Sequence, residues 1–382
     1  MAGDGTGKVS YYYVDRNVPD LLAVHSAVDV TAFPAYKSGR LILQDKASCF
    51  PGYLLLGDLA QATWQGDIID ACAAPGNKTT HLLSLLSSGE RSGSKSRVLS
   101  FDASEERSKT LKKMVHVAGV SDRTVLFPGQ DFLSVNPLDA RFGNVTALLL
   151  DPSCSGSGIR GREDIPTLAL PVDPRTSKPA ARQAGGRKRK RTKYGSDKND
   201  DGDDTHPEDT TAEETPDAEI DMDRLTKLSN LQARIVEHAF KFPAATRVTY
   251  STCSIHEQEN EYVVSRVLSS ETAKRRGWKI LPRHDQVEGL RAWRHRGAGK
   301  SSGSNCLKLT DMQREACIRA WPDNGDGEGT GGFFVAGFVR DVDTEATNYG
   351  RLGPRGAGGG GEEEEEEEEE DGDDESWHGF SD

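Results

Sequence analysis

Two cysteines sit in polar turns built from small residues, where a thiol could act as a nucleophile. Cys253 lies in Tyr250-Ser251-Thr252-Cys253-Ser254, and Cys154 in Asp151-Pro152-Ser153-Cys154-Ser155-Gly156-Ser157-Gly158. Each turn follows a stretch read as a strand, 247–250 for the first and the apolar 145–150 for the second. Burial as an inert thiol is the common fate of cysteine, but the Ser, Thr and Gly neighbours argue for a site. A helix read over Glu257 to Leu268 is expected to bring Cys253 near a helix N-terminus, which favours thiolate. A thiolate, an acid and a second thiol suit covalent catalysis on a pyrimidine ring. Cytosine C5 is too poor a nucleophile to take a methyl group directly. Thiolate addition at C6 converts the ring to an enamine whose C5 is nucleophilic. Asp151 is placed to stabilise charge at N3 and the exocyclic amine. The C5 proton must then leave and the thiol be expelled, a cycle that two cysteines at neighbouring strand ends can serve. The residues alone leave open which thiol attacks.

A methyl donor needs its own cradle. Asp70-Ala71 leads into Cys72-Ala73-Ala74-Pro75-Gly76-Asn77-Lys78, and a helix is read from Thr79 to Leu86. Small residues let the backbone approach a ligand, and Gly76 permits a tight turn. The following helix offers free N–H groups and a positive dipole end to an anion. An ATP phosphate loop fits poorly, because Asn77 separates Gly76 from Lys78. Asp102 ends the second strand, spaced to take ribose hydroxyls. Asp131 follows the third strand and is placed to accept from an adenine amino group. Without GxGxxG, these features describe S-adenosylmethionine (SAM) better than a dinucleotide.

Strands at 67–71, 97–101, 124–127, 145–150, 247–250 and 333–339 must position these groups, with helices at 79–86, 104–118, 222–242 and 257–268. Ser104 is read as the cap of the second helix. Alternation of apolar strands with helices predicts a doubly wound, Rossmann-like α/β sheet, whose ligands bind at the carboxyl ends of the strands.

The chain has 382 residues and a net charge of −13. The 14 acids of 361–382 and the net −4 of 161–222 account for that, leaving about +5 for the rest. A mildly basic body is compatible with RNA. Residues 165–221 and the tail 343–382 read as disordered, because dense charge cannot repay ordering entropy. The run Arg187-Lys188-Arg189-Lys190-Arg191-Thr192-Lys193 is read as a nuclear or nucleolar signal or a solvated linker. No apolar stretch long enough to span a membrane is present, and no CxxC pair suggests zinc.

In combination, the motifs at 70–79, 101–102, 131–132, 151–158, 250–254, Glu257-x-Glu-Asn-Glu261 and Gly332-Phe-Phe-Val-Ala336 resemble the Sun/nucleolar-protein family of RNA cytosine-5 methyltransferases. Asn77, Pro152-Ser153-Cys154 and Leu43-Gln44-Asp45-Lys46-Ala47-Ser48 are similar to the branch that methylates large-subunit rRNA. The resemblance implies Cys253 as nucleophile, Cys154 as the group that aids product release, and SAM at 72–78, Asp102, Asp131 and Asp151. It further implies an RNA substrate, residues 1–60 as the remnant of an RNA-binding region, and a methyltransferase domain over 61–342. The same reaction on tRNA or other RNA, or a SAM- and RNA-binding ribosome-assembly scaffold without turnover, are the alternatives. Gly331 stands where many relatives have Asp, and the 165–221 insertion has no counterpart in that resemblance.

Overall fold

The computed structural model describes residues 12–25, 27–57, 64–88, 96–159, 222–298, 309–321 and 330–341. The readings on the 165–221 insertion, the 187–193 basic run and the 343–382 tail lie outside the described residues.

A hairpin of β1 (Tyr12–Val14) and β2 (Leu22–Val24) precedes the short α1 (Pro34–Lys37) and the buried α2 (Lys46–Leu56). The alternating body follows: β3 (Asp67–Asp70), α3 (Asn77–Ser88), β4 (Val98–Asp102), α4 (Glu105–Val117), β5 (Thr124–Pro128) and β6 (Val145–Leu150). After the insertion come α5 (Met222–Ala239), β7 (Arg247–Thr252), α6 (Glu261–Ser269), α7 (Glu271–Arg276) and β8 (Lys279–Ile280). The chain continues through α8 (Glu288–Ala292), α9 (Asp311–Ala316), β9 (Ile318–Ala320) and β10 (Phe333–Val339).

The strand order is β5-β4-β3-β6-β7-β10-β8, with β9 also paired to β10. The first five strands run parallel, and β10 lies antiparallel to β7, β8 and β9. The order reverses between β3 and β6, so a crevice opens there at the carboxyl ends. This is the doubly wound α/β sheet expected from the sequence.

Alternate residues of one strand serve opposite layers. Leu148 and Leu150 face the layer built with α5 and α6, while Ala147 and Leu149 face the layer built with α2 and α3. The α5 stripe Leu225, Ser229, Gln232, Val236 and Ala239 repeats at helical spacing on the first layer. The side chain of Ser104 caps α4 by accepting from the Arg107 N–H, as its sequence position suggested. Although it precedes residue 61, α2 packs inside the second layer, with Phe50, Leu54, Leu55 and Leu56 buried.

The helix expected over 257–268 is broken. Residues Glu257–Glu259 form one 3-10 turn, Asn260 leaves helical geometry at φ −115° and ψ −100°, and α6 begins at Glu261. Cys253 therefore does not sit at a helix N-terminus, and its electrostatics arise elsewhere.

At the start of α6 the buried Glu261 pairs with the buried Arg319 of β9 through two bonds of 2.6 and 2.5 Å. The same guanidinium donates to the Ile255 carbonyl at 2.9 Å, so it ties the Cys253 turn to β9. Removing one partner strands a buried charge, so Arg319→Met is expected to lower stability by about 3–5 kcal/mol in urea denaturation. A loss below about 1 kcal/mol would mean that solvent reaches the pair.

Candidate active site

Strands β6 and β7 pair in parallel with Leu150 opposite Tyr250, so the turns that follow them emerge side by side. That register brings Asp151 to Ser251, whose hydroxyl donates to Asp151 Oδ1 at 2.5 Å. It also brings the two thiols together: Cys154 Sγ and Cys253 Sγ are 2.8 Å apart and half-buried. Further bonds hold the turns to each other. The Gly158 N–H donates to the Cys253 carbonyl at 2.9 Å, and the Ser157 hydroxyl accepts from the Ile255 N–H at 3.1 Å. Gly158 also packs on Gly332 at the start of β10, where a Cβ would stand 2.0 Å from the Gly332 oxygen. Only glycine permits that approach.

The two thiols are not equivalent. The Cys253 pKa is lowered, first by a hydrogen bond from Cys154 and then, against burial and Asp151, by the Lys78 charge. Cys154 is pushed up by the same bond, by burial and by the Cys253 charge. The 2.8 Å geometry lets either sulfur donate, and the two opposite shifts describe a Cys154 thiol donating to a Cys253 thiolate, a charge-assisted bond in a poorly solvated place.

Lys78 supplies the cation. Its Nζ lies 2.5 Å from Asp151 Oδ2 and 5.8 Å from the Phe333 ring centroid. Burial pulls its pKa down, but Asp151 more than offsets this and the net shift is upward. Lys78 therefore stays charged between Asp151 and Cys253.

The cradle at 72–78 joins β3 to α3. It contains a cis Ala74–Pro75 bond and Gly76 at φ +117°, a left-handed conformation that glycine tolerates. Cys72 is half-buried, and burial followed by Asp70 and Asp151 raises its pKa, so it stays a thiol. Asn77 begins α3, and its buried Oδ1 has no hydrogen-bond partner among the described residues. Asp102 Oδ2 accepts from the Ala74 N–H at 3.1 Å, and Oδ1 accepts from Ser104 N–H at 3.0 Å. Arg107 reaches the Ala74 carbonyl at 2.6 Å and Asp102 at 3.7 Å. Asp131 is exposed and caps the next turn by accepting from Leu133 N–H at 2.9 Å.

The sequence-derived site residues thus fall at strand carboxyl ends or in the turns after them, except Asn77 and Lys78, which open α3. Cys253, Cys154, Asp151 and Lys78 cluster through direct contacts or fields, and Asp102 is bonded to the 72–78 loop. No contact joins Asp131 to the thiols among the described residues. Sequence reasoning missed the buried Asp70, which accepts from Thr79 Oγ1 at 2.7 Å and is pushed up to about 7, chiefly by burial. It also missed Ser251, Gln232, Glu259 and Asn260. The Glu-Asn-Glu run at 259–261 was the available signal for the last two.

A family model described as 16S rRNA methyltransferase RsmB/F matches residues 59–174. The chain is 35% identical over 325 residues to the 25S rRNA (cytosine-C(5))-methyltransferase rcm1 of Schizosaccharomyces pombe, covering 85% of this chain and 55% of that protein. It is 30% identical to the human protein named putative methyltransferase NSUN5C, covering 86% of this chain and 79% of that one. The chain spans about half the length of rcm1 and of a mouse 28S rRNA (cytosine-C(5))-methyltransferase, 55% and 54% respectively. A solved methyltransferase homolog protein from Pyrococcus horikoshii shares the fold, with TM-score 0.52 and 19% identity over 87% of this chain and 78% of that one.

The thiol pair makes a pH prediction. A lowered pKa means that Cys253 is thiolate at a pH where an ordinary cysteine is still protonated, and protonation on acidification removes its reactivity. Cys154→Ala deletes the donor, so the Cys253 alkylation profile should move to higher pH. Iodoacetamide labelling across pH, read by peptide mass spectrometry, measures this. A profile that stays in place or moves to lower pH would contradict the assignment.

Proposed function

The chain belongs to the RsmB/F family of RNA methyltransferases, alongside the rRNA (cytosine-C(5))-methyltransferases, and from that premise we propose that it transfers a methyl group from SAM to cytosine C5 in RNA, most specifically in large-subunit rRNA. The observation that carries the reading is the 2.8 Å thiol pair beside the Lys78–Asp151 ion pair at neighbouring strand ends.

The residues present fit SAM. Loop 72–78 and the start of α3 offer backbone donors to a carboxylate. The unpartnered Asn77 Oδ1 offers an acceptor, and Asp102 and Asp131 supply carboxylates for hydroxyl and amino groups. Bound there, SAM supplies an electrophilic methyl group on a sulfonium.

The rest is done by this chain's side chains. The Cys253 thiolate adds to cytosine C6, and the electron pair of the C5–C6 double bond becomes available at C5. Asp151, held by Lys78 and Ser251, accepts from the exocyclic amine and orients the ring, while the Lys78 ammonium beside it offsets the negative charge that moves toward N3. C5 takes the methyl group. A water molecule then removes the C5 proton, the C–H pair reforms the double bond, and the C6–S bond breaks to return the pair to Cys253. Cys154 donates its S–H to the departing thiolate, which makes it a better leaving group. The attacking and releasing roles are those that the family resemblance implies, and the lowered pKa of Cys253 supports the same order.

The basic run at 187–193 supports delivery to the nucleus and nucleolus, where rRNA is made. Loss of a large-subunit rRNA cytosine methylation on deleting the gene, mapped by bisulfite sequencing, is the expected result. An unchanged rRNA map with a lost tRNA site would transfer the activity to tRNA.

Variants should separate the thiols. Cys154→Ala is expected to accumulate a covalent protein–RNA adduct on denaturing gels, because release loses its donor. Cys253→Ala should form none, with turnover down by at least about 1000-fold. The reverse pattern would exchange the two roles.

A further inference from the structure

Each cysteine is gripped through the residues on either side of it, and the two grips come from adjacent residues of one turn. On the Cys154 side, Gln232 Nε2 donates to the Ser153 carbonyl at 2.9 Å. The Ser155 N–H donates to Glu259 Oε1 at 2.9 Å, and the Ser155 hydroxyl donates to Glu259 Oε2 at 2.6 Å. Gln232 and Glu259 are themselves bonded at 3.0 Å. On the Cys253 side, Thr252 Oγ1 donates to Asn260 Oδ1 at 2.6 Å, and Asn260 Nδ2 donates to the Ser254 carbonyl at 2.8 Å. The Tyr250 hydroxyl, on the strand that carries Cys253, donates to the Glu259 carbonyl at 2.5 Å and stands 3.1 Å from Gln232 Oε1.

Gln232, Glu259 and Asn260 are fully buried. Among the described residues Glu259 has no ion pair, and its carboxylate is satisfied by Ser155 and Gln232. A buried carboxylate without a cation is a costly way to fill space. Its donors flank Cys154, so its fixed charge serves to hold that turn. The break at Asn260 between the 257–259 turn and α6 has the same logic, because it turns the amide away from helical register and onto the Cys253 turn.

We propose that Glu259 and Asn260 are paired positioning residues that divide the catalytic cycle: Asn260 sets Cys253 for attack, and Glu259 with Gln232 sets Cys154 for release. This rests on the reading of Cys253 as nucleophile and Cys154 as release thiol. Loosening the Asn260 grip misplaces the attacking sulfur. Loosening the Glu259 grip withdraws the S–H donor from the departing thiolate but leaves Cys253 in place.

Two RNA probes separate these effects in the full-length chain with SAM. A large-subunit rRNA transcript made with 5-fluorocytidine cannot lose its C5 substituent as a proton, so covalent trapping on it reports attack and methyl transfer alone. The same transcript made with cytidine reports release, through the adduct that persists on a denaturing gel. Trapping is assayed at an alkaline pH where Cys253 is ionised in every variant. Asn260→Ala should slow trapping on the fluorinated RNA by about tenfold and leave no adduct on ordinary RNA. Glu259→Ala and Ser155→Ala should trap the fluorinated RNA at the wild-type rate yet accumulate adduct on ordinary RNA. Glu259→Gln, which keeps an acceptor for the Ser155 N–H, should return the adduct toward the wild-type level. If Glu259→Ala fails to fold, Ser155→Ala carries the test, since it removes one hydroxyl from a turn. Equal slowing on both probes by all variants, or no adduct in Ser155→Ala, would overturn the division of roles. A wild-type chain that failed to trap the fluorinated RNA would overturn the underlying reading, and the clamp with it.

Discussion

The approach of the Cys154 and Cys253 sulfurs to 2.8 Å is the contact on which the rest of the site depends. It exists because β6 and β7 are parallel neighbours in register, so the turns that follow them emerge side by side and meet. Close packing of Gly158 on Gly332 and cross-bonds from Ser157 hold the turns together. The surrounding elements can be understood by what they contribute to that spacing. Strand β10 supplies the glycine that lets the turns approach, α5 supplies Gln232, and the turn before α6 supplies Glu259 and Asn260.

Electrostatics sets the second constraint. Asp151 and an ionised Cys253 would repel each other at the mouth of the same crevice, and burial penalises both charges. Lys78 resolves this by standing at hydrogen-bond distance from Asp151 with its field on Cys253. Lys78 rides on the first turn of α3, and the helix is positioned by the loop at 72–78. On the proposed reading, the segment that would cradle the methyl donor also carries the cation whose field lowers the Cys253 pKa. Cofactor cradle and nucleophile are coupled through one side chain.

Much of this was legible in the sequence, for physical reasons. A short apolar run bounded by turn residues, such as 145–150, reads as a strand buried on both faces, and Ser104 followed by two acids announces a helix start. Strand ends are where α/β sheets bind ligands, so the polar turns at 72–78, 151–158 and 250–254 marked themselves. Other features carry no local signal. Helix α2 is apolar on all sides and contains Pro51, so it lacks the amphipathic period that reveals a helix. The break at Asn260 defeats helical periodicity, because its amide is engaged by Thr252 and Ser254 instead. Lys78 reads as a loop residue until the fold brings Asp151, 73 positions later, into contact. The ranking of the thiols depends on that contact and on the partner sulfur, and neither is local in sequence.

Cys253 is proposed as the sulfur that bonds to the pyrimidine. The direct measurement is to trap the wild-type protein on 5-fluorocytidine RNA, digest with nuclease and protease, and sequence the nucleotide-bearing peptide by mass spectrometry. The account predicts the modification on the peptide containing Thr252-Cys253-Ser254. A nucleotide on the Ser153-Cys154-Ser155 peptide would contradict it.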